Sequence, residues 1–146
     1  MINIGSDYYM KFSIKKEIDA SDFVRIRHDL SWNEIPKPLV EQALKGSMIN
    51  ISVFDDEKCV GIGRIVGDGA LKGMLTDIMV LREYQNKGVG KLIVTSLIKE
   101  LDNMVNDGCC FQLEASPTAK NREFYIKCGL KYKPENQDGV YLWIRK

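Results

Sequence analysis

The sequence has little histidine and no pair of cysteines at the spacing of a metal site. His28 is the one histidine among 146 residues, and the four cysteines include no Cys-x-x-Cys pair. Structural zinc sites are built from these two kinds of side chain, so we expect no metal. Cys109 and Cys110 are adjacent and would point to opposite sides of a strand, which disfavours a bond between them. Reduced thiols and a cytoplasmic location are therefore expected.

The sequence also lacks an excess of charge of either sign and a long apolar run. Its 21 lysines and arginines nearly balance 20 aspartates and glutamates, which gives a net charge of +1. Nucleic acids are bound through dense positive charge, so we expect no nucleic-acid partner. The chain has no apolar run of roughly 18 residues, and no basic segment followed by an apolar one at its N-terminus. Neither a membrane span nor a signal peptide is expected.

Length and composition are those of one globular domain. Hydrophobic residues make up 45% of the chain and charged residues 28%, which is ordinary for a soluble protein. A domain of this size buries roughly 68–70% of the surface of its unfolded chain. We expect a single domain over residues 1–146, in which residues 1–10 form a flexible or edge extension because they show no clear period.

The stretch from Leu75 to Leu101 has the clearest pattern in the chain. Residues 75–81 are dense in branched and apolar side chains between polar neighbours, which predicts a buried strand. From Val89 onward, apolar residues recur every three or four positions, which predicts a helix packed by one face on a sheet. A short polar segment joins the two and ends in Gly88-Val89-Gly90.

The glycines in this turn predict a site for an anion. The first N–H groups of a helix have no partner within it, and glycine leaves them uncovered. The positive end of the helix dipole lies at the same place, and Lys87 and Lys91 add charge. We therefore expect a phosphorylated ligand.

Two common phosphate loops are excluded by the neighbouring residues. A nucleoside-triphosphate loop needs an earlier glycine where this chain has Gln85, and a serine or threonine where it has Leu92. A dinucleotide fingerprint needs a third glycine where this chain has Ile93.

The remaining pattern, Gln85-x-x-Gly88-x-Gly90 after an apolar strand, resembles the coenzyme loop of the GNAT superfamily of N-acetyltransferases. A second stretch, Phe124-Tyr125 followed by Gly129-Leu130, resembles the F/L-Y-x-x-x-G-F/L segment of the same family. The resemblance implies acetyl-coenzyme A as the co-substrate, with its pantetheine arm along the strand and its pyrophosphate in the loop. The implied binding residues are Ile78, Met79, Val80, Gln85, Asn86, Lys87, Gly88, Val89, Gly90 and Lys91.

The resemblance also implies two candidates for proton transfer. Tyr125 could act as the general acid that protonates the departing thiolate, or it could simply pack and bond a backbone carbonyl. Asp77, in the central strand, could take the proton of the attacking amine, or it could be a structural carboxylate bonded to turn amides. A backbone N–H at Val80 or its neighbour would stabilise the oxyanion.

Three residues are candidates for binding the acceptor. Trp32, ahead of two prolines, could form a wall of the acceptor pocket or pack as a lid on the core. Glu34 lies in the same loop, where family members bind the acceptor. Arg64 could bind an acidic group of the acceptor, or it could point to solvent or pair with a carboxylate.

Taken in order, the chain predicts an α/β fold of the GNAT-like kind. We expect a central mixed β-sheet of about six to seven strands flanked by about four helices, in one N-acetyltransferase domain. The other predicted strands cover residues 11–17, 49–54, 59–66, 111–115 and 140–144. Three other helices are predicted. One begins near Asp19, and the other two cover residues 39–45 and 117–127. Gly61 and Gly63 indicate a close backbone approach or a bulge within a strand.

The predicted function is transfer of an acetyl group from acetyl-coenzyme A to a primary amine by direct attack in a ternary complex. A ternary complex is favoured because no cysteine has an evident base and orienting group. The acceptor, a small molecule or a peptide, is unidentified, and homodimerisation through the last strand is implied by the resemblance. One alternative is a coenzyme-binding sensor or partner subunit without turnover. Another is a structural domain that binds an anion and no coenzyme.

Overall fold

The computed structural model describes residues 11–118, 121–133 and 139–146. These ranges contain seven strands and four α-helices, with a 3-10 turn at Arg82–Tyr84. The strands are β1 (Phe12–Lys15), β2 (Ile49–Asp55), β3 (Lys58–Gly67), β4 (Lys72–Val80), β5 (Cys110–Ala115), β6 (Lys131–Tyr132) and β7 (Val140–Arg145). The helices are α1 (Ala20–Asp29), α2 (Lys37–Lys45), α3 (Val89–Met104) and α4 (Arg122–Lys127).

The strands form one mixed sheet in the order β1-β2-β3-β4-β5-β7-β6. Strands β4 and β5 run parallel, and the other neighbouring pairs are antiparallel. This architecture confirms the predicted α/β fold, with its mixed sheet and flanking helices. The predicted hairpin of β2 and β3 is confirmed, whereas the two-residue strand β6 was not predicted.

Helix α3 and helix α2 lie on opposite faces of the sheet. A Cβ atom added at Gly63 would lie 2.5 Å from Ile93 Cγ2, and one at Gly61 would lie 2.9 Å from Ile93 Cδ1. Both glycines therefore face α3 and let it approach the sheet closely, as the sequence predicted. Arg64 points the other way along the alternating strand and donates to the Ala43 carbonyl of α2 at 3.2 Å.

The core lies mainly between α3 and the sheet. Val89, Ile93, Leu97 and Leu101 follow one face of the helix and are at most 1% exposed. Burial of each such side chain stabilises the fold by about 1.5–3 kcal/mol. A second layer of buried apolar side chains lines α1 and α2 on the other face. None of the helices in the described ranges is long and apolar enough to cross a lipid bilayer.

Some predicted boundaries are wrong. The helix predicted over residues 117–127 begins at Arg122, after a turn in which the Asn121 N–H donates to the Thr118 carbonyl at 3.0 Å. Ahead of Phe124 this stretch has no large apolar residue to bury, so helix formation there gains little. The strand predicted over residues 11–17 is shorter, Phe12–Lys15. The predicted extension at residues 1–10 lies outside the described part of the chain.

Candidate active site

The two parallel strands at the centre of the sheet are paired over only part of the length of β4. Past Met74, β4 continues to Val80 alongside β3, while β5 ends at Ala115. The described ladder between β4 and β5 pairs Lys72 with Gln112, Gly73 with Leu113 and Met74 with Glu114. Beyond Met74, β4 therefore has no described partner strand on its β5 side, and we call this unpaired stretch the opening between β4 and β5. It lies at the carboxyl-terminal end of a parallel strand, which is where open α/β sheets bind ligands.

A bulge in β4 lies beside this opening. The pairing with β3 runs from Arg64 opposite Thr76 to Ile62 opposite Met79, so β4 contains one extra residue there. Asp77 lies at this irregularity, and its backbone is in the left-handed conformation with a φ of 52°. Aspartate tolerates this conformation better than most residues, and a bulge bends its strand.

The Gln85–Lys91 segment, here called the coenzyme loop, turns the chain from the end of β4 into α3. The Gln85 side-chain amide donates to the Val80 carbonyl at 3.1 Å, which fixes the loop to the last residue of the strand. Asn86 and Gly88 both have left-handed backbones, with φ values of 61° and 84°. Gly88 is the N-cap residue of α3 and has no side chain with which to cap it.

The start of α3 offers hydrogen-bond donors and positive charge at one place. The Leu92 N–H donates to the Gly88 carbonyl at 3.0 Å, so the N–H groups of residues 89–91 precede the first regular helical bond. The first turn carries no acidic residue. Lys87 and Lys91 are exposed, and Lys87 Nζ lies 5.5 Å from the centre of the Tyr84 ring. This site suits a phosphate group.

Helix α4 brings Tyr125 to the same end of α3. A Cβ atom at Gly90 would lie 3.2 Å from Phe124 Cζ and 3.8 Å from Val80 Cγ2, so the glycine makes room for this contact. The rings of Phe124 and Tyr125 meet edge to face with centroids 5.1 Å apart. The two family-like segments of the sequence are therefore neighbours in space.

Tyr125 and Cys128 are both neutral at physiological pH. Burial raises the pKa of Tyr125 to about 12, with a smaller contribution from the nearby Cys128. Burial also raises the pKa of the Cys128 thiol, and the charge of Lys91 acts in the opposite direction. Tyr125 therefore keeps its proton and can donate it, whereas Cys128 remains a poorly nucleophilic thiol.

Asp77 lies on the opposite face of the sheet from α3, between two arginines. Arg64 Nε donates to Asp77 Oδ2 at 2.7 Å, and an Arg27 guanidinium nitrogen lies 3.9 Å from Asp77 Oδ1. The three side chains are 15–17% exposed. Both oxygens of the carboxylate thus face a guanidinium group.

Arg27 links this carboxylate to Trp32. The Arg27 guanidinium lies 5.4 Å from the centre of the Trp32 ring and donates to the Asn33 carbonyl. The structure thus brings Trp32, Asp77 and Arg64 together through Arg27. No role could be predicted for Arg27 from the sequence, because its contact with Asp77 joins distant parts of the chain and follows no motif.

Glu34 does not join this group. Its carboxylate contacts His28 Nδ1 at 3.1 Å, and both side chains are 77% exposed. It lies in the same loop as Trp32 but is directed to solvent.

Arg82 is a further residue whose contacts could not be predicted from the sequence. Its N–H donates to Asp29 Oδ2 at 2.9 Å, and its Nε donates to the Asp29 carbonyl at 2.8 Å. A third bond runs from its guanidinium to Ser31 Oγ at 3.3 Å. Arg82 therefore ties the end of α1, and with it the Trp32 loop, to the segment that leads into the coenzyme loop.

The helix start of α3, with its uncapped N–H groups and exposed lysines, suits a protein that binds a phosphorylated ligand. The sequence identifies the family. The model of the Acetyltransferase (GNAT) family matches residues 15–130. The chain belongs to this family and is a GNAT-type N-acetyltransferase, and enzymes of the family generally use acetyl-coenzyme A.

Solved structures share the fold. A GNAT family acetyltransferase of Streptococcus pneumoniae is 29% identical with a TM-score of 0.61, over 82% of this chain and 87% of that one. The ribosomal-protein-S18-alanine N-acetyltransferase of Escherichia coli is 18% identical, with a TM-score of 0.71 over 92% and 95%. The glucosamine-6-phosphate N-acetyltransferase of Arabidopsis thaliana is 19% identical, with a TM-score of 0.67 over 86% and 95%. No protein of curated function matches the sequence.

Proposed function

We propose that this enzyme transfers an acetyl group from acetyl-coenzyme A to a primary amine by direct attack in a ternary complex. The observation that carries the proposal is the position of the coenzyme loop at the end of the opening between β4 and β5. The uncovered N–H groups at residues 89–91, together with Lys87 and Lys91, suit a pyrophosphate.

Strand β4 suits the rest of the coenzyme. Ile78, Met79 and Val80 lie where β4 runs beside the opening, without β5 in the described ladder. A strand edge of this kind can pair with the amide groups of a pantetheine arm as with an added strand. A β4 N–H group, at Val80 or its neighbour, would then polarise the carbonyl of the thioester.

Bound acetyl-coenzyme A supplies an activated acyl group and a thiolate leaving group. Tyr125 holds a proton at its Oη atom and donates it, or a hydrogen bond, to that thiolate. Cys128 takes no covalent part because it remains a thiol, which favours direct attack by the amine. The chain contributes chiefly by positioning the reactants and by strand N–H groups that face the carbonyl.

The acceptor approaches from the face that carries Trp32, Asp77 and Arg64. Trp32 is 43% exposed and forms a wall there. Because both oxygens of Asp77 face arginines, we assign Asp77 the structural role rather than that of base. Arg64 supports Asp77 and is not available to the acceptor. A small molecule and a peptide both fit this description.

The first experiment is calorimetric titration with acetyl-coenzyme A. Gly88→Glu adds a side chain and a negative charge beside the proposed pyrophosphate, and we expect it to weaken binding at least about 100-fold. Gly108→Glu is the matched control, since Gly108 has a similar φ of 79° and open space where a Cβ would go. Equal binding by wild type and both variants, or none by the wild type, would overturn the proposal.

Tyr125→Phe separates this enzyme from a coenzyme-binding sensor without turnover. With an amine that gives turnover in a panel of acceptors, we expect kcat to fall about 100-fold or more while the Kd for acetyl-coenzyme A is unchanged. Tight binding with no thiol release for any amine would support the sensor.

A further inference from the structure

We propose that Arg82 is a positioning residue for the acceptor. It fastens the end of α1, and with it Trp32, to the strand segment that would carry the donor. The role rests on the proposed function, which places the thioester beside residues 78–80 and the acceptor at Trp32. Arg82 is assigned no contact with either ligand and acts through Ser31 and Trp32.

Helix α1 ends in a Schellman motif that has a serine where glycine is usual. The Ser31 N–H donates to the His28 carbonyl at 3.0 Å, and the Trp32 N–H donates to the Arg27 carbonyl at 3.1 Å. The Ser31 backbone is left-handed, with a φ of 58°. Glycine adopts this conformation without strain, whereas serine does not. Fold stability alone therefore does not explain a serine at this position.

The Ser31 hydroxyl has a partner from a distant part of the chain. The Arg82 guanidinium donates to Ser31 Oγ at 3.3 Å, and its Nε donates to the Asp29 carbonyl at 2.8 Å. The Arg82 N–H donates to Asp29 Oδ2 at 2.9 Å. This N–H begins the 3-10 turn after β4, where Leu81 provides no side-chain cap. Three bonds thus join the end of α1 to the end of β4.

Trp32 is attached to β4 from a second side as well. Its ring lies 5.4 Å from the Arg27 guanidinium, of which one nitrogen is 3.9 Å from Asp77 Oδ1. Asp77 and Arg82 flank residues 78–80, so the contacts reach β4 on both sides of the proposed thioester site. The Trp32 ring itself is 43% exposed and adds little to the core. Contacts and a strained residue that fix an exposed ring point to function rather than stability.

A spectroscopic test needs no acceptor. The chain has two tryptophans, so a Trp143→Phe background leaves Trp32 as the single fluorescent indole. Arg82 is exposed, and its loss should cost little stability, so the variants should fold. We expect Arg82→Met and Ser31→Gly to raise the amplitude of the subnanosecond anisotropy decay of Trp32 at least about twofold. An unchanged decay in both variants would overturn the inference.

The matched control is Arg25→Met. Arg25 is also an exposed arginine of α1, and its guanidinium donates to Asp22 Oδ1 at 3.0 Å and to the Cys59 carbonyl at 2.7 Å. Its loss removes comparable bonds but none to the end of the helix. The Trp32 decay should therefore stay as in the background protein. An equal rise in this control would mean that any lost contact of α1 releases Trp32, which would overturn the role of Arg82.

The kinetic test uses a panel of aliphatic amines, amino sugars, amino acids and short peptides. With an amine that turns over, we expect Arg82→Met to raise the KM for the amine at least about tenfold, while the Kd for acetyl-coenzyme A changes less than about twofold. Arg82→Lys cannot make both side-chain bonds and should give an intermediate KM. The double variant with Trp32→Ala should have no higher KM than Trp32→Ala alone, because Arg82 acts through this ring.

Ser31→Gly separates positioning from stability. Glycine relieves the left-handed backbone, so the Tm should be equal or higher, yet the KM for the amine should rise because the bond from Arg82 is lost. An unchanged KM would mean that the contact serves stability alone.

The two proposals fail in different ways. Turnover with an unchanged KM in Arg82→Met, or strictly additive effects of Arg82→Met and Trp32→Ala, would contradict the positioning role and leave the proposed function standing. Absence of coenzyme binding, or of turnover with every amine, would overturn the proposed function and with it the acceptor role of Arg82. The anisotropy decay would still show whether Arg82 holds Trp32 in place.

Discussion

At the scale of single residues, Asp77 combines two features that are each uncommon. Its backbone is left-handed within a strand, and its carboxylate is shielded between two arginines. A half-buried guanidinium that loses its charged partner is left poorly solvated. The carboxylate therefore stabilises Arg64 and Arg27 as much as they stabilise it.

Asp77→Asn is expected to lower the free energy of unfolding by about 1–3 kcal/mol, because Arg64 loses its carboxylate. Asparagine tolerates the left-handed backbone, so the change tests the charge alone. Urea unfolding measures the loss. The control is Glu34→Gln at the exposed pair with His28, where we expect about 0.5 kcal/mol or less. Equal stability of both variants, with a large loss of kcat in Asp77→Asn, would support the role of base instead.

Asp68 is a second residue whose charge stabilises the fold. Its Oδ1 accepts from the N–H groups of Ala70 and Leu71 at 2.8 Å and of Lys72 at 3.1 Å. These bonds, that from Leu71 first, hold the pKa of the Asp68 carboxyl below its ordinary value of 3.8. The folded state thus binds fewer protons at Asp68 than the unfolded state. The contribution is complete above pH 3.8 and is lost as the pH falls through the lower folded value.

Asp68→Ala should therefore lower the Tm at pH 7. The difference in Tm from the wild type should shrink when the pH is brought below 3.8, the ordinary pKa of the carboxyl. Thermal unfolding followed by circular dichroism at neutral and acidic pH measures this. Asp107→Ala, at another aspartate that precedes a glycine, serves as the control. A Tm difference for Asp68→Ala that does not change with pH would show that the charge is unimportant.

At the residue level, the sequence was informative about backbone placement where a local pattern was present, and the binding and catalytic roles stay predictions. The coenzyme loop follows a motif, and the structure places its residues at one helix start. The partners of Asp77 could not be predicted, because Arg27 and Arg64 come from α1 and β3 and meet it only when the elements pack.

At the scale of elements, the contact of α3 with β3 depends on glycine. A methyl group at Gly61 would lie 2.9 Å from both Ile93 Cδ1 and Val89 Cγ1. Gly61→Ala should destabilise the protein by about 1–3 kcal/mol through overpacking. Ile93→Val, which removes the Cδ1 atom, should cost about 0.5–1.5 kcal/mol alone.

The double variant is the sharper test of this contact. The methyl group added by Gly61→Ala and the Cδ1 atom of Ile93 would occupy the same space. The double variant should therefore lose less free energy of unfolding than the sum of the losses in the two single variants. Chemical denaturation of the wild type, the two single variants and the double variant gives the coupling free energy between the two positions. Strict additivity would mean that α3 is displaced as a whole instead.

Element prediction was reliable where periodicity extends over many residues. Helix α3 has several turns of one apolar face, and its start at Val89 was predicted correctly. Helix α4 has six residues and β6 has two, so neither has a period long enough to fix its bounds. Their bounds depend on contacts with β7 and α3.

At the scale of the whole molecule, the sheet consists of two parts that meet at a short seam. One part is β1 to β4, and the other is β5, β7 and β6. The described seam between them has three residue pairs, all at the beginning of β4. The sequence predicted the succession of elements along the chain but neither the order of the strands in the sheet nor this short seam, because pairing between distant strands leaves no mark on hydrophobic periodicity.

A ligand in the opening would join the two parts. Acetyl-coenzyme A at a hundredfold excess over its Kd should stabilise the folded protein by about 2.7 kcal/mol. Because the ligand would bridge β4, the coenzyme loop and α4, hydrogen exchange should slow most in those segments. The paired strands β1 and β2 lie at the far edge of the sheet and should change least. Hydrogen exchange with mass spectrometry, with and without the coenzyme, measures the pattern.

Gly88→Glu at the same coenzyme concentration is the control, and it should show neither stabilisation nor added protection. Uniform protection across the chain would mean that the ligand raises global stability without bridging the opening. Protection confined to the coenzyme loop would mean that only the pyrophosphate is held. The proposed site requires protection on both sides of the opening, because a thioester that reaches Tyr125 must cross from the β4 side to α4.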